Sequence, residues 1–227
     1  MVIVHGLLLA AGAGRRMGRP KALVEDWLVH GVTVLGEGGC AGVTVVLGAA
    51  AEQARDRVPR GVEVVVAEDW QEGMGASLRV GLAALRQALR QAQENPQGSG
   101  SAQGPDALRQ AQGPLGEGPL GEGASEREVP DSAAAVGAAM IHLVDLPDVS
   151  AAVIARVRAE PVDPTTLRRA TYDGRPGHPV LLGRDHWPGI VDAARGDRGA
   201  RDYLAEHDHE LVECGDLASG QDVDSRG

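Results

Sequence analysis

An apolar run over residues 2–9, broken only by His5 and Gly6, opens the chain and gives way to five small residues, Ala10, Ala11, Gly12, Ala13 and Gly14. A short continuous run bounded by glycine predicts a strand buried on both faces. Apolar positions over 23–35, Leu23, Trp27 and Val34 among them, predict a helix interrupted at Gly31 and stopped by Gly36, Gly38 and Gly39. Val43–Leu47 (VTVVL) predicts a second buried strand, 49–58 a helix and 62–66 a third strand. The stretch 68–85, EDWQEGMGASLRVGLAAL, predicts a loop and then a helix with Leu78, Leu82 and Leu85 on its buried face. Ser77 near its start could cap that helix or face a ligand. Strand patterning resumes over 138–144 and at Leu167–Tyr172, with a helix over 150–159 between them and a turn over 173–177. His142 sits mid-strand and reads as a core histidine with its hydrogen bonds satisfied. This alternation of strands and helices predicts a mostly parallel sheet covered on both faces.

The pattern fails over about 91–131. There Gly, Pro, Ser, Gln and Glu dominate, GPLGEGPLGEG is a tandem repeat, and LRQAQ occurs at 89–93 and again at 108–112. Such a composition cannot build a core. It predicts a disordered insertion, or a binding tail, between a helix and the next strand. With 227 residues, the chain then reads as one domain, residues 1–227, interrupted by that insertion.

Composition changes the picture at three points. Hydrophobic residues make up 43% but aromatics only 2%, with no Phe, so the core must be built of Val, Leu, Ile and Ala. A net charge of −10 argues against a nucleic-acid partner and requires a local basic site for any anionic ligand. Cys40 and Cys214 are far apart and without metal-site spacing, as expected of small apolar packers in a reducing compartment. The start is too short and too uncharged for a signal peptide, and no run has the length of a membrane-spanning helix; a cytoplasmic protein with no membrane partner is expected.

The local basic site follows the first strand. Arg15, Arg16, Arg19 and Lys21 fall within seven residues, and no acid precedes Glu25. Small residues let backbone N–H groups approach a ligand, and the cations supply charge, so the turn is suited to phosphates. Two familiar phosphate loops are excluded. Gly12, Gly14 and Gly18 are spaced one residue too long for the dinucleotide fingerprint, and Pro20-Lys21-Ala22 lacks the hydroxyl that closes a Walker A loop. Lys21 is the only lysine in a chain otherwise using Arg. A compact ammonium can follow one phosphoryl oxygen where a planar guanidinium cannot.

The stretch LAAGAGRRMGRPKAL closely resembles the signature L-A-A-G-x-G-x-R-M-G-x-x-K-x-L of nucleotidyltransferases with a glycosyltransferase-A-like fold, and most of all the molybdenum cofactor cytidylyltransferases. The resemblance continues in W-x-x-G-M-x-x-S-L-x-x-G-L over 70–82, in the Asp145-Leu146-Pro147 that ends a strand, in GHPV over 177–180 and in GDRGA over 196–200. It implies an α/β fold: a single Rossmann-like, three-layer domain with a mostly parallel mixed sheet, of the nucleotide-diphospho-sugar transferase type. It implies transfer of a nucleotidyl group from an NTP, with CTP as donor, to a phosphate-bearing acceptor, molybdopterin cofactor, with release of pyrophosphate. A molybdoenzyme or its accessory protein would be the protein partner.

Residue by residue, the resemblance implies that the backbone of Leu9, Ala10, Ala11, Gly12 and Gly14 wraps the nucleotide. Arg15 holds the β/γ-phosphates and Lys21 stabilises the α-phosphoryl in the transition state. Gly75 and Ser77, with the backbone near Gly73, border the base, and His178 at the rim of the 173–177 hairpin serves the acceptor. Asp145 contacts the nucleotide and shares Mg²⁺ with Asp224, for which Asp222 is the near alternative. Asp197 and Arg198 could serve the acceptor or cap the last helix. The chain departs from the family pattern at Ala67, where many relatives carry Asn, at the shortened Glu25-Asp26-Trp27 segment, and at its end. Two alternatives stay open: another small-phosphate or sugar-phosphate nucleotidyltransferase of this fold, and a catalytically weak nucleotide-binding accessory protein.

Overall fold

A computed structural model describes residues 2–94 and 136–223. The bulk of the insertion and Asp224 lie outside the described residues. Seven strands form one sheet in the order β3-β2-β1-β4-β6-β5-β7. In chain order the strands are β1 (Ile3–Ala10), β2 (Val43–Leu47), β3 (Glu63–Val66), β4 (Val136–Leu143), β5 (Leu167–Tyr172), β6 (Arg175–Gly183) and β7 (Glu210–Glu213). The helices are α1 (Trp27–Glu37), α2 (Ala51–Arg55), α3 (Met74–Glu94), α4 (Ala151–Arg158), α5 (Trp187–Ala193) and α6 (Arg201–Glu206). β1, β2, β3 and β4 run parallel to one another, β6 runs antiparallel to β4 and β5, and β7 is parallel to β5.

Alternation along the central strands sorts the core into two layers. Val4, Leu8 and Ala10 of β1, with Ala138 and Met140 of β4, face α1 and α4. Leu7 and Leu9, with Ala139 and Ile141, face α3, α5 and α6. Both central strands are therefore apolar on both faces apart from His5 and His142, as a sheet covered on both sides requires. Glycine brings the layers close: a Cβ on Gly31 would lie 2.7 Å from Leu8, and one on Gly81 2.6 Å from Leu7.

Several elements differ from their sequence reading. α1 starts at Trp27, because residues 21–23 form a separate 3-10 turn and Glu25 takes a positive φ of 37°. Gly31 does not interrupt that helix, and Gly36 lies inside it. α2 spans only Ala51–Arg55, since Ala50 is left-handed (φ 58°). α3 continues to Glu94, so the insertion begins no earlier than residue 95. The hairpin turn is the two residues Asp173 and Gly174, with φ of 51° and 74°, the geometry two-residue hairpins favour. α5 and β7 are additional elements, and Trp187 of α5 is fully buried, its indole N–H donating to the Leu182 carbonyl at 2.9 Å. Cys40 and Cys214 are free and buried. No described helix is long and apolar enough to cross a membrane.

Candidate active site

After β1 the chain passes to β2 and β3 on one side, then returns to place β4 on the other. Open α/β sheets bind ligands where strand order reverses in this way, beyond the carboxyl ends of the two strands. A cleft of about 510 Å³ lies there, lined by Leu9, the loop from Ala11 to Arg16, Lys21, the start of α3 and the end of β4.

The loop is shaped by its own backbone. Met17 N–H donates to the Gly14 carbonyl at 2.9 Å, and Lys21 N–H donates to the Gly12 carbonyl at 3.2 Å, folding the lysine back over the glycines. Gly14 has a φ of +57°, and a Cβ there would meet the Arg19 carbonyl oxygen at 2.0 Å, so only glycine fits. Arg15 and Arg16 line the cleft, whereas Arg19 turns its backbone to Gly14.

Lys21 forms an ion pair with Asp145 across the mouth of the loop, both side chains being largely buried, 18% and 10% exposed. The pairing is a tertiary one, over 124 residues of chain. Asp145 is set in apolar surroundings, between Val144 and Leu146, which are 4% and 3% exposed. Removing either partner would leave the other charge largely desolvated, which costs more than the pair itself contributes. The Asp145 carbonyl accepts from Val223 N–H at 3.0 Å, and the Asp148 carboxylate accepts from the Ser219 and Gly220 N–H groups. The C-terminal stretch is thereby held against the loop that carries Asp145. Asp222 is exposed.

The opposite wall is the start of α3. Ser77 lies in the first turn inside the helix, is 4% exposed and lines the cleft; it does not cap the helix. Gly75 faces away, where a Cβ would meet the backbone of Ala194 and Arg195 at 2.9–3.0 Å, so it is a packing position. Gly73 (φ 110°) makes room for the 196–198 turn, since a Cβ there would lie 2.4 Å from the Asp197 carboxylate. Asp197 lines the cleft and does not cap α6, while Arg198 pairs with Asp202 at 2.5 Å. Trp70 is half-buried beside the cleft, its approach to Ala11 allowed by Gly48. Ala67 is buried and lines a smaller cavity on the far side of Trp70.

Of the residues singled out in the sequence, Leu9, Ala11, Gly12, Gly14, Arg15, Lys21, Ser77 and Asp145 line one cleft; Ala10, Gly75 and His178 do not. Ala10 points its side chain into the α1/α4 layer. His178 is not at the hairpin rim but four residues past the turn in β6, half-buried, with its pKa pushed down to about 3 by burial and then by Arg169 and Arg201. His142 is buried but not satisfied: its Nδ1 has no hydrogen-bond partner among the described residues. Burial, with His178 and His30 nearby, lowers its pKa to about 3. Gln71, Leu143 and Gly48 shape the site without carrying any sequence signal beyond their neighbours.

A switch-point cleft with a glycine-rich, cationic loop and a strand-end carboxylate defines an α/β nucleotidyltransferase domain. The chain belongs to the MobA-like NTP transferase family, whose domain matches residues 6–211. The curated protein nicotine blue oxidoreductase of Paenarthrobacter nicotinovorans is 28% identical over 240 residues, covering 98% of this chain and 92% of its own. Rv0371c of Mycobacterium tuberculosis shares the fold with a TM-score of 0.63 at 23% identity, over 99% of this chain and 94% of that one. A manganese complex of Rv0371c aligns with a TM-score of 0.57 at 20% identity, over 93% and 87%. The molybdopterin-guanine dinucleotide biosynthesis protein A of Archaeoglobus fulgidus aligns with a TM-score of 0.54 at 13% identity, over 97% and 92%.

Proposed function

We propose that the protein transfers a cytidylyl group from CTP to a phosphate-bearing acceptor, molybdopterin cofactor, releasing pyrophosphate. The observation that carries this reading is the Lys21–Asp145 pair at the open end of the Gly12–Gly14 loop. The acceptor phosphate is already a competent nucleophile, so the protein's task is alignment and charge stabilisation. An acceptor oxygen bonds to the α-phosphorus while the bond to the β-phosphate oxygen breaks, and pyrophosphate leaves with that electron pair. Loop N–H groups would hold the triphosphate, Arg15 its β/γ end. Lys21, oriented by Asp145, would stabilise the charge developing on the α-phosphoryl oxygens.

Asp145 also fits a divalent ion. No cluster of three or more His, Cys, Asp or Glu suited to metal forms among the described residues. Mg²⁺ needs less from a nucleotide-handling protein: one or two carboxylates, with substrate phosphates and water completing the shell. Asp145 would be one ligand and Asp224 the other, and the ion when bound would neutralise triphosphate charge.

Base choice would rest on the α3 side of the cleft. Cytosine offers an N4 donor where guanine offers an O6 acceptor, so one buried polar lining cannot satisfy both. An unpaired group costs ~1–3 kcal/mol, roughly ten- to hundredfold in preference. The test is pyrophosphate release from each NTP with Mg²⁺, with and without molybdenum cofactor. CTP is expected to exceed GTP by at least about tenfold, Ser77→Ala narrowing the gap. Equal use of GTP, or full activity on a simple sugar phosphate, overturns the cytidylyl assignment.

A second reading, reduction of an organic substrate, is favoured by the name of the relative that matches 98% of the chain. The loop spacing, too long for the dinucleotide fingerprint, argues against it. Substrate-dependent consumption of NADH or NADPH, with no pyrophosphate from any NTP, would establish that reading over the first.

A further inference from the structure

Residues 214–223 run back from the far edge of the sheet to the cleft. β6 is antiparallel to both β4 and β5, and β7 is parallel to β5, so β7 ends on the rim where β4 ends. From there the chain passes the two intervening strands, β5 and β6, to reach the loop after β4. It is fastened along its length. Asp216 forms a two-pronged ion pair with Arg156 of α4, which also donates to the Glu213 carbonyl at 3.0 Å. Leu217 and Ala218 pack, partly buried, against the α1/α4 layer of the core. Gly220 has a φ of +61° and lies so close to Tyr172 that a Cβ would stand 2.1 Å from its ring.

The last two anchors are on the loop that carries Asp145. One oxygen of Asp148 accepts from Ser219 N–H at 2.7 Å, from the Ser219 hydroxyl at 2.5 Å and from Gly220 N–H at 3.1 Å. Three residues on, Val223 N–H donates to the Asp145 carbonyl at 3.0 Å. A stretch without helix or strand keeps one position only where it is tied down, and this one is tied to the residue whose carboxylate holds Lys21. Asp145 is thereby fixed from both sides. Val144 N–H donates to the Leu9 carbonyl of β1 at 3.2 Å, and Val223 takes the carbonyl of Asp145 itself. A misplacement of about 1 Å at a reacting group can cost on the order of 10²-fold in rate, so a clamp on this peptide bears on reaction more than on stability.

We propose that residues 216–223 form a strap that sets the Lys21–Asp145 pair, with Asp148 and Val223 as positioning residues. Asp148 fixes the turn at Ser219 and Gly220, and the turn presents the Val223 N–H. That N–H holds the peptide from which the Asp145 side chain projects. The strap's effect on rate rests on the nucleotidyl-transfer reading; its hold on the pair does not.

Lys21 is the only lysine of the chain, so protein labelled with ¹³C at lysine Cε gives a single side-chain signal that reports the pair. D145N marks where that signal falls without the ion partner. Val223→Pro removes the N–H, and Val223→Ala keeps it. With no nucleotide present, the signal in V223P and in D148A is expected to move towards its position in D145N, while V223A stays with the parent. D148N, which keeps an acceptor oxygen, should fall between. Val223 is half-exposed, so V223P should melt as the parent does, and D148A reaches the pair from the other anchor. Pyrophosphate release should fall about tenfold in both. An unmoved signal in V223P and D148A, or an equal movement in V223A, overturns the strap. A moved signal with an undiminished rate overturns its part in the reaction. A moved signal while the parent yields no pyrophosphate from any NTP supports the strap and overturns the transfer reading instead.

Discussion

The two halves of the sheet hold positive charge in opposite ways. In the parallel half, β1 delivers its cations at the carboxyl edge, where β4 ends in a carboxylate, so Lys21 is met by Asp145. In the hairpin half, β6 runs against its neighbours and brings the beginning of a strand to that edge. Across that hairpin Arg169 of β5 donates to the Gly177 and Pro176 carbonyls of β6, which are neutral acceptors. Parallel strands gather their C-terminal loops on one rim, where complementary charges can be paired. Across the hairpin the partners are backbone carbonyls of the neighbouring strand, which satisfy hydrogen bonds without neutralising charge.

The largest effect should come from breaking the paired side. Lys21→Ala is expected to lower the rate of pyrophosphate release by on the order of 10²–10³-fold, as loss of a transition-state charge does, with a smaller effect on CTP affinity. Lys21→Arg should not rescue it. A near-normal rate in Lys21→Arg would show that any cation serves, and that the charge itself, not its compactness, matters.

Acid sharpens the same contrast through two histidines on adjacent strands, His142 buried and His5 partly so. His5 of β1 is paired through Nε2 with Thr44, 3.0 Å away, and Thr44 donates to Glu63; burial lowers its pKa and Glu63 opposes the fall. His142 of β4 lacks a partner for Nδ1 and is lowered from 6.5 to about 3. A folded-state pKa below the unfolded one means the unfolded chain binds the proton first. The contribution of neutral His142 is therefore complete above pH 6.5 and is lost progressively towards pH 3. At roughly 1.4 kcal/mol per pH unit, about 3 kcal/mol is lost by pH 4. Urea melts across this range should flatten markedly in His142→Leu and less in His5→Leu. Equal flattening would remove the distinction between the two strands.

A third effect, of ~1–3 kcal/mol, separates ligand loop from packing glycine. Gly75→Ala should lower stability, because its Cβ meets the Ala194–Arg195 backbone, which cannot rotate away. Gly14→Ala should instead weaken CTP binding by about tenfold or more with little change in melting temperature, since the strain falls on an exposed loop. If Gly14→Ala lowers the melting temperature as much as Gly75→Ala does, the loop is part of the folding core. The smallest effect is expected at the joint between the halves. Replacing 95–130 by a short Gly/Ser linker should leave melting temperature and activity nearly unchanged, as its composition offers almost nothing to bury and loop closure changes only by ~0.6 kcal/mol per doubling of length. A large loss of either would show that this stretch contributes to the fold or the site.

The sequence by itself determined the largely apolar strands β1 and β2, the start of the loop and the Asp-Leu-Pro end of β4, because a doubly covered sheet demands apolar runs with few interruptions and a phosphate loop demands small residues before cations. The role of Ser77 was legible only as a choice between cap and ligand contact, since the first turn of a helix serves both. The structure places Ser77 inside the helix, buried and lining the cleft. α5 and β7 were not legible, being short elements, seven and four residues, whose apolar pattern is too brief to show a period. Gly75 reads the same whether it approaches a base or a backbone, and only the crossing of α3 over residues 194–195 distinguishes them. The pairing of Lys21 with Asp145, and of Arg169 with the Gly177 carbonyl, join residues from separate elements. No local pattern encodes such contacts. They follow from strand order and strand direction, which the packing of the whole sheet decides.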